Sequence, residues 1–420
     1  MLLPCSKRFV LLITLVILCC PLSSGSFSIL AHEAIIDASW EKYIKPLLKL
    51  KYPNATEAEL KKAHAFAYGG SIIPDIGYYP MGSPEFSSLV HYMRSGDFIT
   101  ALLEESKNSN EYAFSLGVLC HYEADNFGHS LGTNRSVSIL FSRLRKKYGN
   151  EVTFEQGRDQ HARVEFGFDV LQTARGNYES NVYHDFIGFE VSEPVLERAF
   201  VRTYGIKLKD IFESLPAAIS VLRFSVKVII PELTKDAWKI KNSFITKANP
   251  LATEKNYRYA MSKNNYRKEF TSPKVKSVLI SIVIGVLPKY GSFSRFKPKI
   301  PTPECEKLFE QSFDAALAHY VATVSKLSNN IVASTNIDLD TGKETEIGEY
   351  KLADIAYYKL LMKLKRNKFA HTSLGLKKNI NIYYGKQNLP GHKSHSHKEK
   401  MLTEALAQLN TSSPIKQSSD

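Results

Sequence analysis

Apolar residues recur with the spacing of an α-helix along most of the chain. The first such stretch covers residues 27–50, where one face carries Ile35, Ile36, Trp40, Tyr43 and Ile44. Residues three and four apart share one face of a helix, and an apolar face packs on a core. The pattern therefore predicts an amphipathic helix over residues 27–50.

A second helix is predicted from its start signal. Thr56 and Glu59 have the spacing of a capping box, in which each side chain bonds the backbone N–H of the other residue. The helical pattern then continues to about Tyr68. Because glycine is poorly suited to a helix interior, Gly69-Gly70 is predicted to end this helix.

The second half of the chain also reads as helical. Thr302-Pro303-Glu304 is a favourable helix start, since proline suits the first turn and an acid suits the positive end of the helix dipole. A further amphipathic helix is predicted over Lys351–Arg366. Residues 278–287 are continuously apolar but too few to span a bilayer. The fold class predicted is all-α.

The N-terminus has the layout of a secretory signal peptide. Lys7 and Arg8 precede an apolar run over residues 9–20, and the small residues Ser24 and Ser26 follow. We expect cleavage before Phe27, which predicts a secreted or periplasmic protein. The formal charge of +13 favours anionic partners such as phosphodiesters or an acidic membrane surface, including peripheral membrane contact.

Composition divides the chain into four parts. We predict a signal peptide over residues 1–26, a main helical domain over 27–245 and a helical C-terminal region of unknown role over 246–385. Residues 386–420 are polar and are predicted to be a disordered tail. The sequence does not set the oligomeric state.

Candidate chemistry centres on residues 115–134, where His121, Asp125 and His129 recur every fourth residue. On a helix this spacing aligns the side chains along one stripe. Imidazole and carboxylate are ligands for divalent cations such as zinc, and buried charge is costly unless it is paired or bound to metal. A structural role in buried hydrogen bonds explains the spacing equally well.

Other candidate ligands lie elsewhere in the N-terminal half. His161 and Glu165 stand one helical turn apart, which suits a shared metal but also an ordinary surface ion pair. Asp75 lies in a loop rich in glycine and proline, His91 opens a helical stretch, and His32 lies five residues after the predicted new N-terminus. Eight such residues in one half of the chain indicate a metal site.

Taken together, these residues resemble the zinc-dependent phospholipase C family. That fold also includes the single-strand-specific nucleases and the N-terminal domain of glycosylphosphatidylinositol-specific phospholipase D. The resemblance covers residues 27 to about 170, with helical material to about 245. It implies an all-α zinc-dependent phospholipase C-like domain, here with a helical C-terminal extension, and three clustered zinc ions (Zn²⁺).

The resemblance also implies which residues bind each zinc. The first zinc would be bound by Asp75, His91, His121 and Asp125. The second would be bound by His129, His161 and Glu165. The third would be bound by the free amine and carbonyl of Phe27, by His32 and by a bridging Asp125. Asp75 either binds metal or orients the attacking water, and both roles stay open.

The chain departs from the family pattern at two places. Family members commonly begin with Trp, whereas this chain would begin with Phe27. Only three residues separate Asp125 from His129, where the bacterial phospholipases and nucleases have five. The shorter spacing is closer to that of the glycosylphosphatidylinositol-cleaving domain.

The function predicted is phosphodiester hydrolysis, most directly of a phospholipid, by water activated at a trinuclear zinc cluster. The first alternative is a nuclease or nucleotidase on the same metal site, with residues 257–266, rich in Tyr, Lys and Arg, as the stretch able to stack bases. The second is a non-enzymatic zinc-binding domain.

One further acidic motif, Asn336-x-Asp338-x-Asp340, resembles the opening of a calcium loop. Thr341 replaces the glycine that such a loop requires, and Ile347 stands where its closing glutamate belongs. The motif is therefore predicted to be a polar turn.

Overall fold

A computed structural model describes residues 29–175, 188–226, 299–329, 334–385 and 397–415, with isolated positions between 243 and 250. This part of the chain is helical apart from one two-stranded pair, and the all-α prediction is confirmed. The helices are α1 (Ile29–Ser39), α2 (Lys45–Lys51), α3 (Glu57–Ile72), α4 (Pro84–Tyr92), α5 (Ser95–Glu105), α6 (Ser109–Phe127), α7 (Asn134–Leu140), α8 (Ser142–Tyr148), α9 (Arg158–Arg175), α10 (Glu193–Tyr204), α11 (Leu215–Phe224), α12 (Pro303–Leu327), α13 (Lys351–Arg366), α14 (Leu374–Gly385) and α15 (His397–Thr411).

Short irregular segments join some of these helices. A π-helical turn over Trp40–Ile44 joins α1 to α2, so the first predicted helix is continuous to Lys51. A 3₁₀ turn over Ile73–Tyr78 follows α3, and a π-helical segment over Gly128–Thr133 follows α6. Strands β1 (Ile337–Asp338) and β2 (Lys343–Glu344) form the antiparallel pair.

The predicted helix starts are confirmed. Thr56 caps α3, with the side chains of Thr56 and Glu59 bonding each other's backbone N–H groups as a capping box. Thr302 caps α12, where its hydroxyl accepts a hydrogen bond from the backbone N–H of Cys305. Helix α13 has the bounds that its amphipathic pattern predicted.

Helices α3 and α6 cross at very close range, and glycine makes this possible. A Cβ atom at Gly70 would lie 2.0 Å from the carbonyl oxygen of Phe114, and one at Gly117 would lie 2.0 Å from that of Ala67. The prediction that Gly69-Gly70 ends the helix is wrong, because α3 continues to Ile72. These glycines allow backbones to approach rather than stop the helix.

The C-terminal region packs directly on the N-terminal helices. The Tyr320 hydroxyl on α12 donates a hydrogen bond to the carbonyl oxygen of Leu116 on α6, at 3.1 Å. Phe309 of α12 stacks on Phe168 of α9, with ring centroids 4.6 Å apart. One cluster of buried apolar residues extends from Ile29 to Leu409. A domain boundary near residue 245 stays a prediction.

The prediction of a disordered tail is wrong for part of the C-terminus. Residues His397–Thr411 form α15, which buries Ala405 and Leu409. The apolar residues of this helix stand three and four apart, and its partner is α13. A few apolar residues at helical spacing are enough to form an ordered helix here, because a neighbouring helix supplies the surface on which they pack.

Several predicted features lie outside the described residues. These are the signal peptide with Phe27, the basic aromatic stretch over residues 257–266 and the apolar run over 278–287. Among the helices that the structure describes, none combines the length and apolar character that crossing a bilayer requires.

Candidate metal centre

Four predicted ligands meet in one buried group, which we call the first group: Asp75, His91, His121 and Asp125. Asp75 lies on the 3₁₀ turn after α3, His91 lies near the end of α4, and the other two stand one turn apart on α6. The close crossing of α3 and α6 brings these elements together. One potential ligand atom from each residue lies within 4.8 Å of the others.

Backbone carbonyl groups orient both histidines of the first group. Nδ1 of His91 donates to the carbonyl oxygen of Ser87 at 2.7 Å, and Nδ1 of His121 donates to that of Ser71 at 2.8 Å. A carbonyl oxygen only accepts, so each Nδ1 carries a proton. The two Nε2 atoms then face each other at 3.1 Å. Two neutral rings held in this way would place their lone pairs in contact, so a cation between them, either a proton or a metal ion, is required.

Carboxylates surround this pair of nitrogen atoms. Oδ2 of Asp125 lies 3.1 Å from Nε2 of His121 and 3.2 Å from Nε2 of His91. Oδ1 of Asp75 lies 3.4 Å from Nε2 of His91. Among the described residues, neither oxygen of Asp125 has a hydrogen-bond partner, although the side chain is buried. Converging lone pairs of buried nitrogen and oxygen atoms fit a divalent cation better than a hydrogen-bond network.

Asp125 also faces a second set of ligands. Its Oδ1 lies 3.5 Å from Nε2 of His32 on α1 and 3.9 Å from Nε2 of His129. The ring of His32 stacks on that of His121, with centroids 4.5 Å apart. The two oxygens of Asp125 therefore point to different histidines, which is the arrangement of a bridging carboxylate.

A second buried group contains His129, His161 and Asp340. Nε2 of His161 donates to the carbonyl oxygen of Val152 at 2.7 Å, which leaves Nδ1 as the atom with a lone pair. Nδ1 of His129 lies 3.2 Å from Oδ1 of Asp340. Three buried atoms have no hydrogen-bond partner within the described part of the chain: Nδ1 of His161, Nδ1 of His129 and Oδ1 of Asp340. This donor set also fits zinc.

Asp340 was not among the residues that the sequence identified as ligands. Its motif was predicted to be a polar turn, and it does form the turn between β1 and β2, but Asp340 is 3 % exposed and faces the histidines. The available signal was the run of three Asn or Asp residues at alternate positions. That pattern carries no information about distant histidines.

Glu165 lies beside the second group. Its Oε1 is 3.7 Å from Nδ1 of His161, one turn earlier on α9, and its side chain is buried. Phe27, the predicted source of the N-terminal amine, lies outside the described residues, which begin two positions later. His64 is a structural histidine, stacked on Trp40 and 3.1 Å from Asp37.

The carboxylates around the two groups of ligands favour protonated histidines even without metal. Burial lowers the pKa of His91, but Asp125 and Asp75 outweigh it and raise that pKa to about 10. Burial also lowers the pKa of His129, which Asp340 and Asp125 raise to about 9. A bound divalent cation would satisfy the same electrostatic demand and release these protons.

A small cavity touches both groups. Its lining residues are Tyr78, His91, Tyr92, Asp125, His129, Phe154 and Asp340. Burial raises the pKa of Tyr78 and that of Tyr92, so both hydroxyl groups keep their protons and remain hydrogen-bond donors. The cavity therefore combines the candidate metal ligands with neutral donors.

Comparison with known proteins gives one match. Residues 31–213 match the family model described as zinc dependent phospholipase C. No curated protein and no solved structure matches the chain. The matched segment includes every histidine of the two groups but ends well before Asp340.

Proposed function

We propose that this chain, whose residues 31–213 belong to the zinc-dependent phospholipase C family, is a zinc-dependent phosphodiester hydrolase that acts on phospholipids. The observation that carries the proposal is the 3.1 Å approach of Nε2 of His91 to Nε2 of His121 beside the Asp125 carboxylate. Both rings are fixed by backbone carbonyl groups, so the arrangement is built to hold a cation.

We further propose that the centre binds three zinc ions. The first group would hold one, and His129, His161, Glu165 and Asp340 surround the position of a second. His32 and Asp125, with the N-terminal amine and carbonyl of Phe27, would hold the third. Asp75 lies close enough to His91 and His121 to be a ligand, which favours that role over orienting water.

Zinc bound in these groups would lower the pKa of a water molecule and offset negative charge on phosphate oxygens. Residues of the chain orient the metal ligands and bind the phosphate. Ser87 and Ser71 fix the two imidazole rings of the first group through their carbonyl oxygens. Tyr78 and Tyr92 line the cavity, and their hydroxyl oxygens lie 3.5 Å apart, so one hydroxyl donates to the other and the second can donate a hydrogen bond to a phosphate oxygen. Burial of the ligands limits competing contact with solvent.

The cavity is too small to enclose a whole small-molecule ligand, which supports a substrate that reaches the centre only with its phosphate oxygens. The acyl chains of a phospholipid would then remain outside. A nuclease on the same site is the second candidate, and the stretch proposed to stack bases lies outside the described residues.

The proposal is tested on purified protein that begins at Phe27. Hydrolysis would be measured on phosphatidylcholine vesicles and on single-stranded DNA and RNA, with zinc content measured in parallel. We expect zinc-dependent release of a lipid product. Replacing His121 by alanine should lower the rate by more than about a hundredfold, because a metal ligand affects binding at least as strongly as the residues that orient it.

The matched control is His371→Ala, since His371 is exposed and belongs to neither group. This variant should keep the wild-type rate and zinc content. Cleavage of nucleic acid without lipid hydrolysis would favour the nuclease. Bound zinc with no turnover of either substrate would favour a non-enzymatic zinc-binding domain.

A further inference from the structure

We infer that Asp340 is a zinc ligand of the second group, supplied by the C-terminal region from outside the family match. The inference rests on the proposed function, because it extends the metal centre proposed there. Its physical basis is a buried carboxylate with one oxygen held by the protein and the other aimed at two histidines.

The two oxygens of Asp340 have different surroundings. Oδ2 accepts a hydrogen bond from the backbone N–H of Phe154 at 2.8 Å and another from the Tyr350 hydroxyl at 2.7 Å. Oδ1 has no hydrogen-bond partner among the residues that the structure describes, and it lies 3.2 Å from Nδ1 of His129. A carboxylate that binds metal through one oxygen typically has the other held by hydrogen bonds, which fix its orientation.

The turn that carries Asp340 is held in place from both ends. Oδ1 of Asp338 accepts hydrogen bonds from the backbone N–H groups of Asp340, at 2.8 Å, and Thr341, at 3.2 Å. The side-chain amide of Asn134 donates to the carbonyl oxygen of Asp340 at 2.8 Å. Gly342 has a φ of +71°, which allows the tight return to β2.

The same segment is bonded to elements that carry the first group. The backbone N–H of Leu339 donates to the carbonyl oxygen of His91 at 3.1 Å. At the start of α5, the Ser95 hydroxyl donates to the carbonyl oxygen of Ile337, and the backbone N–H of Asp97 donates to Oδ1 of Asn336. The segment is therefore a built part of the centre and not a surface turn that happens to lie near it.

Explaining the second group by ion pairs alone, Asp340 with His129 and Glu165 with His161, would require two protonated, stacked imidazole rings whose centroids lie 5.7 Å apart. His161 has its Nε2 committed to the carbonyl oxygen of Val152, so its Nδ1 lone pair needs a positive partner in the same place. One divalent cation satisfies His129, His161 and Asp340 together. A proton on His129 satisfies only the contact with Asp340.

The experiment compares zinc binding by the full-length mature protein and by Asp340→Asn. The asparagine keeps the size of the side chain and can still accept the hydrogen bonds from Phe154 and Tyr350, but it replaces the charged Oδ1. Zinc per chain would be measured across a series of buffered free-zinc concentrations. We expect the affinity of one zinc to fall by at least about tenfold, with the remaining zinc unchanged.

Cobalt replacement provides a second readout. Because Co²⁺ absorbs in the visible range with an intensity that depends on its ligands, loss of a carboxylate ligand should alter the spectrum of Asp340→Asn. A charge that acts only through His129 would leave the spectrum unchanged. The control is Glu344→Gln, an exposed carboxylate four residues further on, which should match the wild type in both measurements.

Tyr350→Phe keeps the inference testable if Asp340→Asn does not fold. It removes one hydrogen bond to Oδ2, so Tyr350 is a positioning residue, and the same zinc should bind several-fold more weakly. Wild-type zinc affinity and an unchanged cobalt spectrum in the folded variant would overturn the inference. If the wild-type protein binds no zinc, the proposed function fails as well, whereas wild-type zinc binding by Asp340→Asn overturns this inference alone.

Discussion

At the scale of single residues, a buried carboxylate keeps its charge where histidine side chains lie around it. Asp125 shows this most clearly, because its two oxygens face histidines from different elements. Burial raises the pKa of Asp125, but His121, His91 and His129 outweigh it and hold the pKa well below its usual range. Glu123, two residues earlier on the same helix, lies near the single cation Lys326, whose effect on the pKa is smaller than that of burial.

The raised pKa of Glu123 should make the stability of the protein depend on pH. Burial raises its pKa from an ordinary value of 4.5 to about 7, although the Thr323 hydroxyl donates to it at 3.1 Å and Lys326 lies nearby. The folded protein therefore holds this proton more tightly than the unfolded chain. Protonated Glu123 makes its full contribution to the free energy of unfolding below about pH 4.5. This contribution is lost as the pH rises through 7, which lowers the free energy of unfolding by up to about 3 kcal/mol.

Glu123→Gln should remove this loss. The amide cannot ionise, so the variant should be more stable than the wild type at pH 8 and similar to it near pH 4.5. Urea unfolding at both pH values, with zinc held constant, measures the difference. An equal stability difference at the two pH values would show that Glu123 titrates normally.

At the scale of elements, the crossing of α3 and α6 sets the geometry of the centre. It places the carbonyl oxygen of Ser71, at the end of α3, within 2.8 Å of Nδ1 of His121 on α6. The π-helical segment after α6 then carries His129 onto the second group. Such segments add a residue to the helical turn and are frequent at functional sites. Small shifts between these helices would therefore alter ligand positions.

Gly117→Ala tests this dependence. The added Cβ would lie 2.0 Å from the carbonyl oxygen of Ala67, so α3 and α6 must separate. We expect a loss of about 3 kcal/mol in the free energy of unfolding, as for other overpacked cores, together with weaker zinc binding. The control is Gly385→Ala at the end of α14, where an added Cβ meets nothing within 4 Å. Wild-type zinc affinity in Gly117→Ala would contradict the coupling.

At the scale of the whole molecule, the candidate metal centre combines residues from the N-terminal and the C-terminal parts of the described chain. His32 lies on the first helix, whereas Asp340 lies on a turn more than three hundred residues later. Helix α12 connects the two regions by packing on α6 and on the π-helical segment. The C-terminal region therefore contributes to the core and to the candidate centre.

If the proposed N-terminal ligand exists, zinc content should depend on the position at which the mature chain begins. Protein beginning at Phe27 should bind three zinc ions, because its amine and carbonyl can join His32 and Asp125. A form with one extra N-terminal residue should bind about two, since its amine is displaced from that position. Zinc per chain, measured by atomic emission after gel filtration, distinguishes these outcomes. Equal zinc content in both forms would rule out the N-terminal ligand, and one zinc or none in the mature form would rule out the trinuclear centre.

Local sequence patterns predicted the all-α class, the starts of α3 and α12, and most candidate ligands. These are properties of local spacing: apolar residues at helical intervals, capping residues next to backbone groups, and His and Asp one turn apart. The sequence also led to a wrong helix end at Gly69-Gly70, because a glycine that allows two backbones to approach looks the same in sequence as one that ends a helix.

Contacts between residues far apart in the sequence depend on tertiary packing. Asp340 lies far along the chain from His129 and His161, and its side chain reaches them because α12 and the β1–β2 turn pack over the centre. No local pattern encodes such a contact, since it depends on how whole helices pack. The position of Asp125 between histidines of different elements and the facing nitrogen atoms of His91 and His121 also result from this packing. Sequence spacing identified these residues, and packing between helices decided the distances that make them a candidate metal centre.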